Sequence, residues 1–557
     1  GGQSVTYNAG PETDEGSFDV GSNAAVSFDH IENFGISGSV SAIINGTNGP
    51  DAITVIARDS TTHAGANGVQ DFTVSVNAGP DLLFIDVASL AIHAKGGSDE
   101  IMLAAPAPNN AVWNVAATID GGTPATADSD RIKVQTPGGT VEETVIYTPS
   151  EVNGGSLNLT SLNSLITIAE IESLAYDGQN DNDILTLMGT GGDDLIVHTP
   201  GSTNQAGSFA VNGLLPISTQ NMGATAKLTA DGVSGSDTLT VLGRETNDSF
   251  IISSLGAVTL NARLPIGSNN IQTLTLEGLA GDDNFTLVPA LSDSVYSTMN
   301  FNGGTQASSM GDRVVLVGGL GDDAFVINGQ TVTLGGKSVH GSGIESTAID
   351  ARTGTNRITY NGVAGLKEDI SISSSGTAGS GQINVPGVTL VDFKGVQFVE
   401  VNGNTPTATE TDTLTFLGTN SADLFNIRLQ AAGSDSDPVL KLLTATGTTT
   451  LLTLTNYSNF NTLRVKGLDG ADIFNVYTAD SGSIDRMVLI DGGAPTAKKK
   501  ETDKLNVYYT GNRPRITQST TTQDPITGLV DLLYPARHYL IQYTDIENMI
   551  ISKYSGA

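Results

Sequence analysis

The sequence predicts an all-β fold with very little helix, arranged as an elongated array of β-rich repeat units. Short runs alternate apolar and polar residues, as in residues 237–241 (DTLTV) and 323–327 (DAFVI), and this two-residue period is typical of strands with one buried face. Turns rich in glycine and aspartate separate these runs at recurring intervals. No window of 12 or more residues sustains a 3.6-residue period, and residues 162–169 come closest to one.

The element that recurs most clearly is a glycine turn, an acidic pair and a short alternating strand. Residues 278–287 (GLAGDDNFTL) carry it in full. Similar strings occupy residues 189–197, 319–327 and 467–476, and looser ones occupy residues 46–55, 96–103, 235–241 and 418–427. Self-similarity of this kind indicates a repeat architecture in which each repeat is one supersecondary unit.

Two further elements recur around this turn. The first is an apolar residue followed by Glu directly before a strand, which we name the lead-in and which residues 171–178 (IESLAYDG) show. Copies of the lead-in lie at residues 31–33, 344–346 and 546–548, with degenerate copies at 271–273 and 460–462. The second is a loop opened by Asp or Asn and then Gly, at residues 120–124, 302–305, 402–406 and 491–495.

The turn aspartates keep a regular spacing. Four pairs are eleven residues apart, namely Asp183 and Asp194, Asp237 and Asp248, Asp312 and Asp323, and Asp412 and Asp423. A strand of about five residues and a turn of about six account for such a step. The repeated interval indicates a specified strand register, although the insertions between repeats vary in length.

Two packings are compatible with this step. If the chain arches over at each turn, the strands stack in parallel as a β-helix or β-solenoid, and the glycine-rich turns favour that arrangement. If the chain folds back, hairpins form tandem sandwich-like units of roughly 80–100 residues. The Asn-Gly pairs at residues 212–213 and 328–329 favour hairpins. We prefer tandem β-sandwich-like units and keep the parallel solenoid as the alternative.

The length of 557 residues exceeds that of one ordinary domain. The repeats suggest six β units, at residues 1–115, 116–225, 226–300, 301–400, 401–490 and 491–557. Residues 27–37 resemble residues 542–552, so the last unit ends on a lead-in strand with no turn after it. We expect that strand to continue in a longer chain or to pair with another copy.

Composition excludes several classes of function. The net charge of −33 opposes binding to nucleic acid or to an anionic membrane. Without cysteine there is no disulfide, thiolate metal site or cysteine nucleophile, and no apolar run is long enough for a transmembrane helix.

No catalytic motif accompanies the repeats. The six histidines are dispersed, no HExxH or GxSxG string occurs, and Trp113 is the single tryptophan where a sugar-cleaving cleft would usually display aromatic platforms. We therefore predict that the chain is not an enzyme. A β-helix carbohydrate-active enzyme remains an alternative, because its carboxylate pair would leave no sequence signature.

The acidic turns are candidate calcium sites. Ca²⁺ prefers six to eight oxygen ligands, which aspartates and the turned carbonyls of glycine-rich backbone can supply. The predicted ligands are the paired acids Asp193, Asp194, Asp282, Asp283, Asp322 and Asp323, and the single acids Asp99, Asp237, Asp248, Asp423 and Asp472. The alternative is ordinary turn chemistry, in which each aspartate bonds nearby backbone.

The GxxGDDxF turns resemble the glycine- and aspartate-rich repeats of calcium-binding RTX proteins. Together with the lead-ins, they resemble still more the repeat regions of large secreted surface proteins of bacteria such as planctomycetes. The turns here step by eleven residues or by tens of residues, never by nine in tandem. The resemblance therefore implies an extracellular repeat protein and does not imply an RTX roll with its ladder of ions.

These observations predict an extracellular, cell-surface structural protein that self-associates into a surface layer or fibre. Calcium at the acidic turns would stiffen it. The alternative from a different class is an adhesin that recognises a cell-surface glycan.

Overall fold

The computed structural model describes a chain of strands joined by turns. The described residues are 2–58, 69–105, 113–124, 130–136, 142–160, 162, 164–288, 295–309, 311–363, 367–388, 390–403, 412–429, 439–479, 486–493, 502–510, 513–520, 527–535 and 538–554. Within them lie 52 strands and no helix, which confirms the all-β prediction. The stretch that came closest to a helical period contains a strand at Leu165–Ala169.

The chain divides into two compact units, Gly1–Glu277 with Asp293–Tyr296 and Gly278–Ser292 with Ser297–Ala557. The strands of the first unit are β1 (Ser4–Ala9), β2 (Gly16–Val20), β3 (Val26–Phe28), β4 (Asn33–Ser37), β5 (Ser41–Asn45), β6 (Ala52–Ala57), β7 (Phe72–Val76), β8 (Asp81–Ile85), β9 (Ser89–His93), β10 (Gly96–Gly97), β11 (Glu100–Ala104), β12 (Ala116–Asp120), β13 (Thr123–Pro124), β14 (Arg131–Gln135), β15 (Thr144–Glu151), β16 (Gly154–Leu159), β17 (Leu165–Ala169), β18 (Ser173–Asp177), β19 (Ile184–Met188), β20 (Leu195–Pro200), β21 (Gly207–Val211), β22 (Ile217–Gln220), β23 (Lys227–Asp231), β24 (Thr238–Leu242), β25 (Ser249–Ile252), β26 (Val258–Leu260), β27 (Ile266–Asn269) and β28 (Thr273–Glu277).

The strands of the second unit are β29 (Asn284–Leu287), β30 (Thr298–Asn302), β31 (Arg313–Val317), β32 (Ala324–Asn328), β33 (Thr331–Leu334), β34 (Lys337–Ser342), β35 (Ser346–Asp350), β36 (Arg357–Asn361), β37 (Asp369–Ser374), β38 (Gly381–Asn384), β39 (Leu390–Lys394), β40 (Phe398–Asn402), β41 (Thr413–Leu417), β42 (Asp423–Arg428), β43 (Val439–Thr444), β44 (Thr450–Ser458), β45 (Thr462–Lys466), β46 (Ile473–Ala479), β47 (Arg486–Asp491), β48 (Lys504–Thr510), β49 (Arg515–Thr520), β50 (Thr527–Leu533), β51 (His538–Thr544) and β52 (Asn548–Lys553).

Each unit has two mixed sheets. In the first unit, one sheet runs β3-β2-β1-β5-β9-β12-β17-β16-β15-β19-β23-β27-β26-β25. The other runs β4-β8-β7-β6-β11-β14-β18-β22-β21-β20-β24-β28, and β10 pairs separately with β13.

In the second unit, one sheet runs β29-β31-β35-β39-β38-β37-β41-β45-β47-β51-β50-β49. The other runs β30-β34-β33-β32-β36-β40-β44-β43-β42-β46-β48-β52. We use the word coil for each stretch of chain that places a strand in one sheet and a strand in the other before it returns to the first sheet.

The pairing combines both predicted packings. Most neighbouring strands are parallel and come from successive coils, as the solenoid alternative requires. Three-strand antiparallel meanders interrupt this stacking, and the Asn-Gly turns make two of their hairpins. Residues 212–213 follow β21, which pairs antiparallel with β22, and residues 328–329 join β32 to β33. The hairpin signal was therefore right locally, whereas sandwich-like units do not describe the stacking between coils.

The eleven-residue interval carries the chain from one sheet to the other within a coil. Asp312 directly precedes β31 in one sheet, and Asp323 directly precedes β32 in the other. The same change of sheet separates β19 from β20. The spacing therefore measures one strand and the turn that carries the chain to the other sheet.

Alternating burial along the strands builds the core. In β31 the side chains of Val314 and Leu316 are buried and their neighbours are not. Because parallel neighbours are in register, equivalent residues stack, and the rings of Phe425 and Phe474 lie 4.8 Å apart at an angle of 7°. Burial of apolar area at about 25 cal/mol per Å² makes this stacking the main stabilising contribution.

Candidate functional site

The acid residue directly before a strand is the most regular polar feature of the structure. The backbone N–H of Asp283 donates to Asp312 Oδ1 at 2.7 Å, and the N–H of Asp312 donates to Glu345 Oε2 at 2.6 Å. The three residues occupy the same position in successive coils. We call such a series of side chain-to-backbone bonds an acid ladder.

Acid ladders occur in both units. In the first unit they are Asp51-Asp99-Asp130-Glu172, Glu143-Asp183 and Asp194-Asp237-Gln272. In the second unit they are Asp283-Asp312-Glu345, Asp323-Asn356-Gln397, Glu368-Asp412-Asn461 and Asp423-Asp472-Asp503-Glu547. In each series the N–H of one residue donates to the side chain of the next, and most donor–acceptor distances lie between 2.6 and 2.9 Å.

Glycine makes room for the second carboxylate oxygen. Asp237 lies five residues after Gly232, and a Cβ at Gly232 would collide with Asp237 Oδ2. The same steric relation holds between Gly278 and Asp283. The Gly-x-x-x-x-Asp spacing of the turns therefore follows from close packing of the carboxylate against the glycine Cα.

Burial raises the pKa of seven ladder acids. The pKa of Asp99 rises to about 6, first because of desolvation and further because Asp130 and Asp51 are nearby, although its bond from the Asp51 N–H opposes the rise. Desolvation likewise raises the pKa of Asp183 to about 6. The pKa values of Asp130, Asp237, Asp312, Glu368 and Asp423 are raised by the same cause. Removal from water disfavours the charged form of a carboxyl group.

Asn356 shows what a ladder position accommodates. Its Oδ1 accepts the N–H of Asp323 at 2.8 Å, as an aspartate would. Its Nδ2 donates to the carbonyls of Ala351 and Gly395, both at 2.8 Å. At Asp312 and Asp237 the corresponding atom is Oδ2, which is buried and has no hydrogen-bond partner among the described residues. The surroundings of this second atom therefore suit a donor.

The lead-in ends an acid ladder. The side chain of Glu345 accepts the Asp312 N–H, while the N–H groups of Glu345 and Ser346 both donate back to the Asp312 carbonyl at 3.0 and 3.2 Å. The residue before the apolar position has a positive φ, which is 61° at Gly343. Equivalent residues have φ values of 49° at Glu170, 53° at Asn270, 73° at Gly395, 62° at Asn459 and 54° at Asp545.

Seven of the predicted calcium ligands belong to these ladders. They are Asp99, Asp194, Asp237, Asp283, Asp323, Asp423 and Asp472. Asp194, the first residue of its ladder, also uses its second carboxylate oxygen, because Oδ2 accepts the N–H of Thr190 at 2.6 Å. The Asp248 carboxylate accepts from the Arg244 N–H and from Asn261 Nδ2. The buried acids are thus engaged with backbone and amide donors.

The first acid of each pair has a different position. Asp193 and Asp322 are exposed and Asp282 is half-buried. Asp193 Oδ1 accepts the N–H of Ser236 at 2.8 Å, and Asp282 Oδ1 accepts the N–H of Ser308 at 2.8 Å. Asp322 Oδ1 likewise accepts the Thr355 N–H at 2.7 Å. These acids cap the turn of the neighbouring coil.

In the part of the chain that the structure describes, the predicted calcium ligands do not converge on one point. The structure instead brings together Asp14, Asp29 and His30, whose ligand atoms lie within 4.8 Å of one another near the surface. Neighbouring acids, Asp29 first, raise the pKa of His30. Nothing in the spacing of these three residues distinguished them from other acids and histidines. Exposed acidic groups of this kind are common without an ion, and this group supports no proposal.

Sequence reasoning missed the ladder members that are not turn aspartates. Glu143, Glu368, Gln272 and Gln397 hold equivalent positions. Their position in the sequence could have identified them, because each directly precedes a strand.

Comparison with known proteins gives no family assignment. Neither a protein-family model nor any curated protein sequence matches the chain. The part of the chain that the structure describes contains no helix with the length and apolar character needed to cross a membrane.

Proposed function

We propose that the chain is an extracellular structural protein, a subunit of a surface layer or fibre whose rigidity comes from stacked coils. The observation that carries the proposal is the acid ladder. The side chain of each ladder residue after the first accepts a backbone N–H of the preceding coil, in addition to the hydrogen bonds of the parallel strands. Because most of the ladder aspartates are buried, fluctuations that separate coils would leave buried polar groups without partners, which costs about 1–3 kcal/mol each.

Amide side chains on the strands add a second set of bonds between coils. Asn361 Nδ2 donates to Asn328 Oδ1 at 2.8 Å, and Asn402 Nδ2 donates to Asn361 Oδ1 at 2.9 Å. A similar series joins Asn426, Asn475 and Asn506. Stacked amides of this kind hold strands in register and support a mechanical role.

Self-association is tested on the purified chain. We expect ordered polymers or arrays, visible by negative-stain electron microscopy and by sedimentation. A chain that stays monomeric at all accessible concentrations, both in calcium and in EDTA, contradicts the proposal.

Calcium binding is the second part of the proposal, and it rests on the exposed acids Asp193 and Asp322 and the half-buried Asp282. We expect calcium to raise the melting temperature relative to EDTA, because a ligand that binds the folded state stabilises it. The triple variant with Asn at these positions keeps each Oδ1 acceptor and is expected to lose only the calcium-dependent rise. An equal melting temperature in calcium and EDTA contradicts calcium binding and leaves the scaffold role.

One observation favours the adhesin alternative. A groove of about 480 Å³ lies over β6, β11, β14 and β18 and is lined partly by Glu100, Arg131 and Lys133. Arg131, in a chain of net charge −33, would suit an acidic sugar, whereas Lys133 is already paired with Asp177 at 2.7 Å. Under this alternative an acidic oligosaccharide binds and Arg131→Ala weakens it. Equal binding of neutral and acidic sugars, or none, contradicts it.

A further inference from the structure

The structure adds Val396–Gln397 to the six lead-ins found in the sequence, because Gly395 before it has the same positive φ and Gln397 accepts the N–H of Asn356. Among these seven, the lead-in Ile31–Glu32, directly before β4, differs in its surroundings. The φ of His30 is 57°, which matches the positive φ before each of the other lead-ins. The Glu32 carbonyl accepts the Asp81 N–H of the following coil at 3.2 Å, as the Glu345 carbonyl accepts the Leu390 N–H at 3.3 Å. The backbone at Glu32 therefore has the lead-in conformation.

The other lead-ins use this conformation to bind the coil that precedes them. Three contacts recur where Ile171–Glu172 meets Asp130. The Glu172 side chain accepts the Asp130 N–H at 2.9 Å, and the Glu172 N–H donates to the Asp130 carbonyl at 3.0 Å. In addition, the Glu170 carbonyl and the Ile171 side chain pack against Gly121, where a Cβ would collide with them.

Among the described residues, no strand covers the side of Ile31–Glu32 that the preceding coil covers at the other lead-ins. Ile31 is 38% exposed, whereas the apolar residues of the other lead-ins are at most 6% exposed, namely Ile171, Ile271, Ile344, Val396, Phe460 and Ile546. Glu32 is exposed, and among the described strands β4 pairs with β8 alone. The half-buried rings of Phe28 and Phe34 lie beside this edge, 4.5 Å apart.

We propose that the open edge of β4 is a docking site for an acidic-turn strand from another polypeptide. The partner strand carries glycine, then aspartate five residues later, then an alternating apolar strand. Its aspartate N–H donates to the Glu32 carboxylate, its aspartate carbonyl accepts from Glu32 and Asn33, and its glycine lies under the His30 carbonyl. Binding adds a parallel strand to β4, which is β-augmentation.

The partner is an acidic-turn strand and not the β52 edge of a second copy. The residue before β52 is Glu547, which is itself a lead-in and accepts the Asp503 N–H. The lead-in strands β18, β35, β40 and β45 are followed in their sheets by β22, β39, β44 and β47, none of which has a lead-in. In these pairs, therefore, no lead-in strand is followed in its sheet by another lead-in strand. This inference goes beyond the proposed function and depends on the local geometry alone.

The chain itself supplies the sequence of a suitable probe. Residues 231–242 (DGVSGSDTLTVL) contain Gly232, Asp237 and β24. In the structure Asp237 donates its N–H to the lead-in residue Gln272 at 2.6 Å and accepts from the Gln272 N–H at 3.1 Å. A synthetic peptide of this sequence, labelled at its N-terminus, is the ligand for the binding experiment.

The experiment titrates the peptide with the full chain and follows fluorescence anisotropy. We expect saturable binding that Glu32→Ala weakens about tenfold or more, because the aspartate N–H of the peptide loses its acceptor. Glu32→Gln is expected to bind within about threefold of the parent, since Gln272 fills the same role in the folded chain. A peptide with Pro in place of Asp237 lacks the N–H donor and is expected not to bind.

Three outcomes overturn the proposal. The first is that the peptide does not bind the parent chain, and the second is that Glu32→Ala binds as tightly as the parent. The third is dimer formation at this edge, seen as concentration-dependent light scattering that Glu32→Ala abolishes, which would assign the edge to a second copy. Since Glu32 is exposed, circular dichroism is expected to show the same fold in both variants. Failure of polymer formation would leave this binding result intact.

Discussion

At the residue scale, Asp312 shows what a ladder position requires. Its Oδ1 accepts the Asp283 N–H. Its fully buried Oδ2 lies against Gly303 and accepts no hydrogen bond from the described residues. Asn356 makes both contacts with one acceptor and one donor. A neutral side chain with the shape of aspartate therefore satisfies this position. Desolvation also raises the pKa of Asp312, which favours its neutral form.

We predict that Asp312→Asn changes the free energy of unfolding by no more than about 1 kcal/mol at pH 7, measured by urea denaturation. Asp312→Ala is expected to cost about 1–3 kcal/mol, because the Asp283 N–H loses its acceptor. Equal destabilisation by Asn and Ala would contradict the role assigned to Oδ1.

Gly232 is required for a steric reason. A Cβ at this position would collide with Asp237 Oδ2 and would lie 2.7 Å from the Asn270 carbonyl oxygen. We predict that Gly232→Ala destabilises the fold by about 1–3 kcal/mol in urea denaturation, the usual cost of overpacking. Gly191→Ala is the matched control, because the nearest atom to its Cβ would be 3.9 Å away. The steric explanation is wrong if the two variants unfold at the same urea concentration.

At the scale of elements, the lead-in joins the end of a ladder to the start of a strand. Six of the seven ladders found among the described residues end on Glu, Gln or Asn, and all three residue types offer a side-chain oxygen to a backbone N–H. The acceptor and not the charge is the shared property. The positive φ before the lead-in then turns the chain so that both following N–H groups reach one carbonyl.

We predict that Glu345→Gln retains the stability of the parent to within about 1 kcal/mol, whereas Glu345→Ala loses about 1–3 kcal/mol. Thermal and urea unfolding measure both. The loss is expected because the buried Asp312 N–H has no other acceptor placed for it. If Gln is as damaging as Ala, charge is the property that matters and the proposed equivalence with Gln272 and Gln397 fails.

At the scale of the whole molecule, the ladders concentrate acids with raised pKa values in a chain of net charge −33. An acid whose folded pKa exceeds its unfolded value stabilises the fold most below the unfolded pKa. That contribution is lost as pH rises through the folded pKa. For Asp99 and Asp183 the window runs from their ordinary pKa of 3.8 to about 6.

We therefore predict a higher melting temperature at pH 5 than at pH 7.5 at constant ionic strength, measured by calorimetry. Lower overall charge repulsion acts in the same direction. The pKa of Asp282 is lowered by bonds from Ser308 and Ala307, so its contribution is lost only at still lower pH. A melting temperature that falls steadily from pH 7.5 to pH 5 contradicts the prediction, and Asp99→Asn is expected to reduce the difference.

Local patterns were sufficient to predict the strands and their turns. Alternation placed β24 and β32, and Asn-Gly placed the hairpin between β32 and β33, because both signals depend on residues close in sequence. The acidic turns were also placed correctly as strand starts. Their partners were not predictable, since Asp99 is 48 residues from Asp51 and Asp312 is 29 residues from Asp283. Insertions of unequal length separate such partners, so no fixed spacing marks them.

The sequence by itself determined an all-β repeat chain with acidic, glycine-bearing turns, because strand period and turn chemistry are local properties. Only the tertiary structure decided that the coils stack in parallel with antiparallel meanders between them. It also decided that aspartates predicted as calcium ligands, among them Asp99, Asp237 and Asp472, accept backbone N–H groups from neighbouring coils. The physical reason is that a buried backbone donor needs an acceptor wherever coils meet, and stacking brings the carboxylate of the next coil within 3 Å of it.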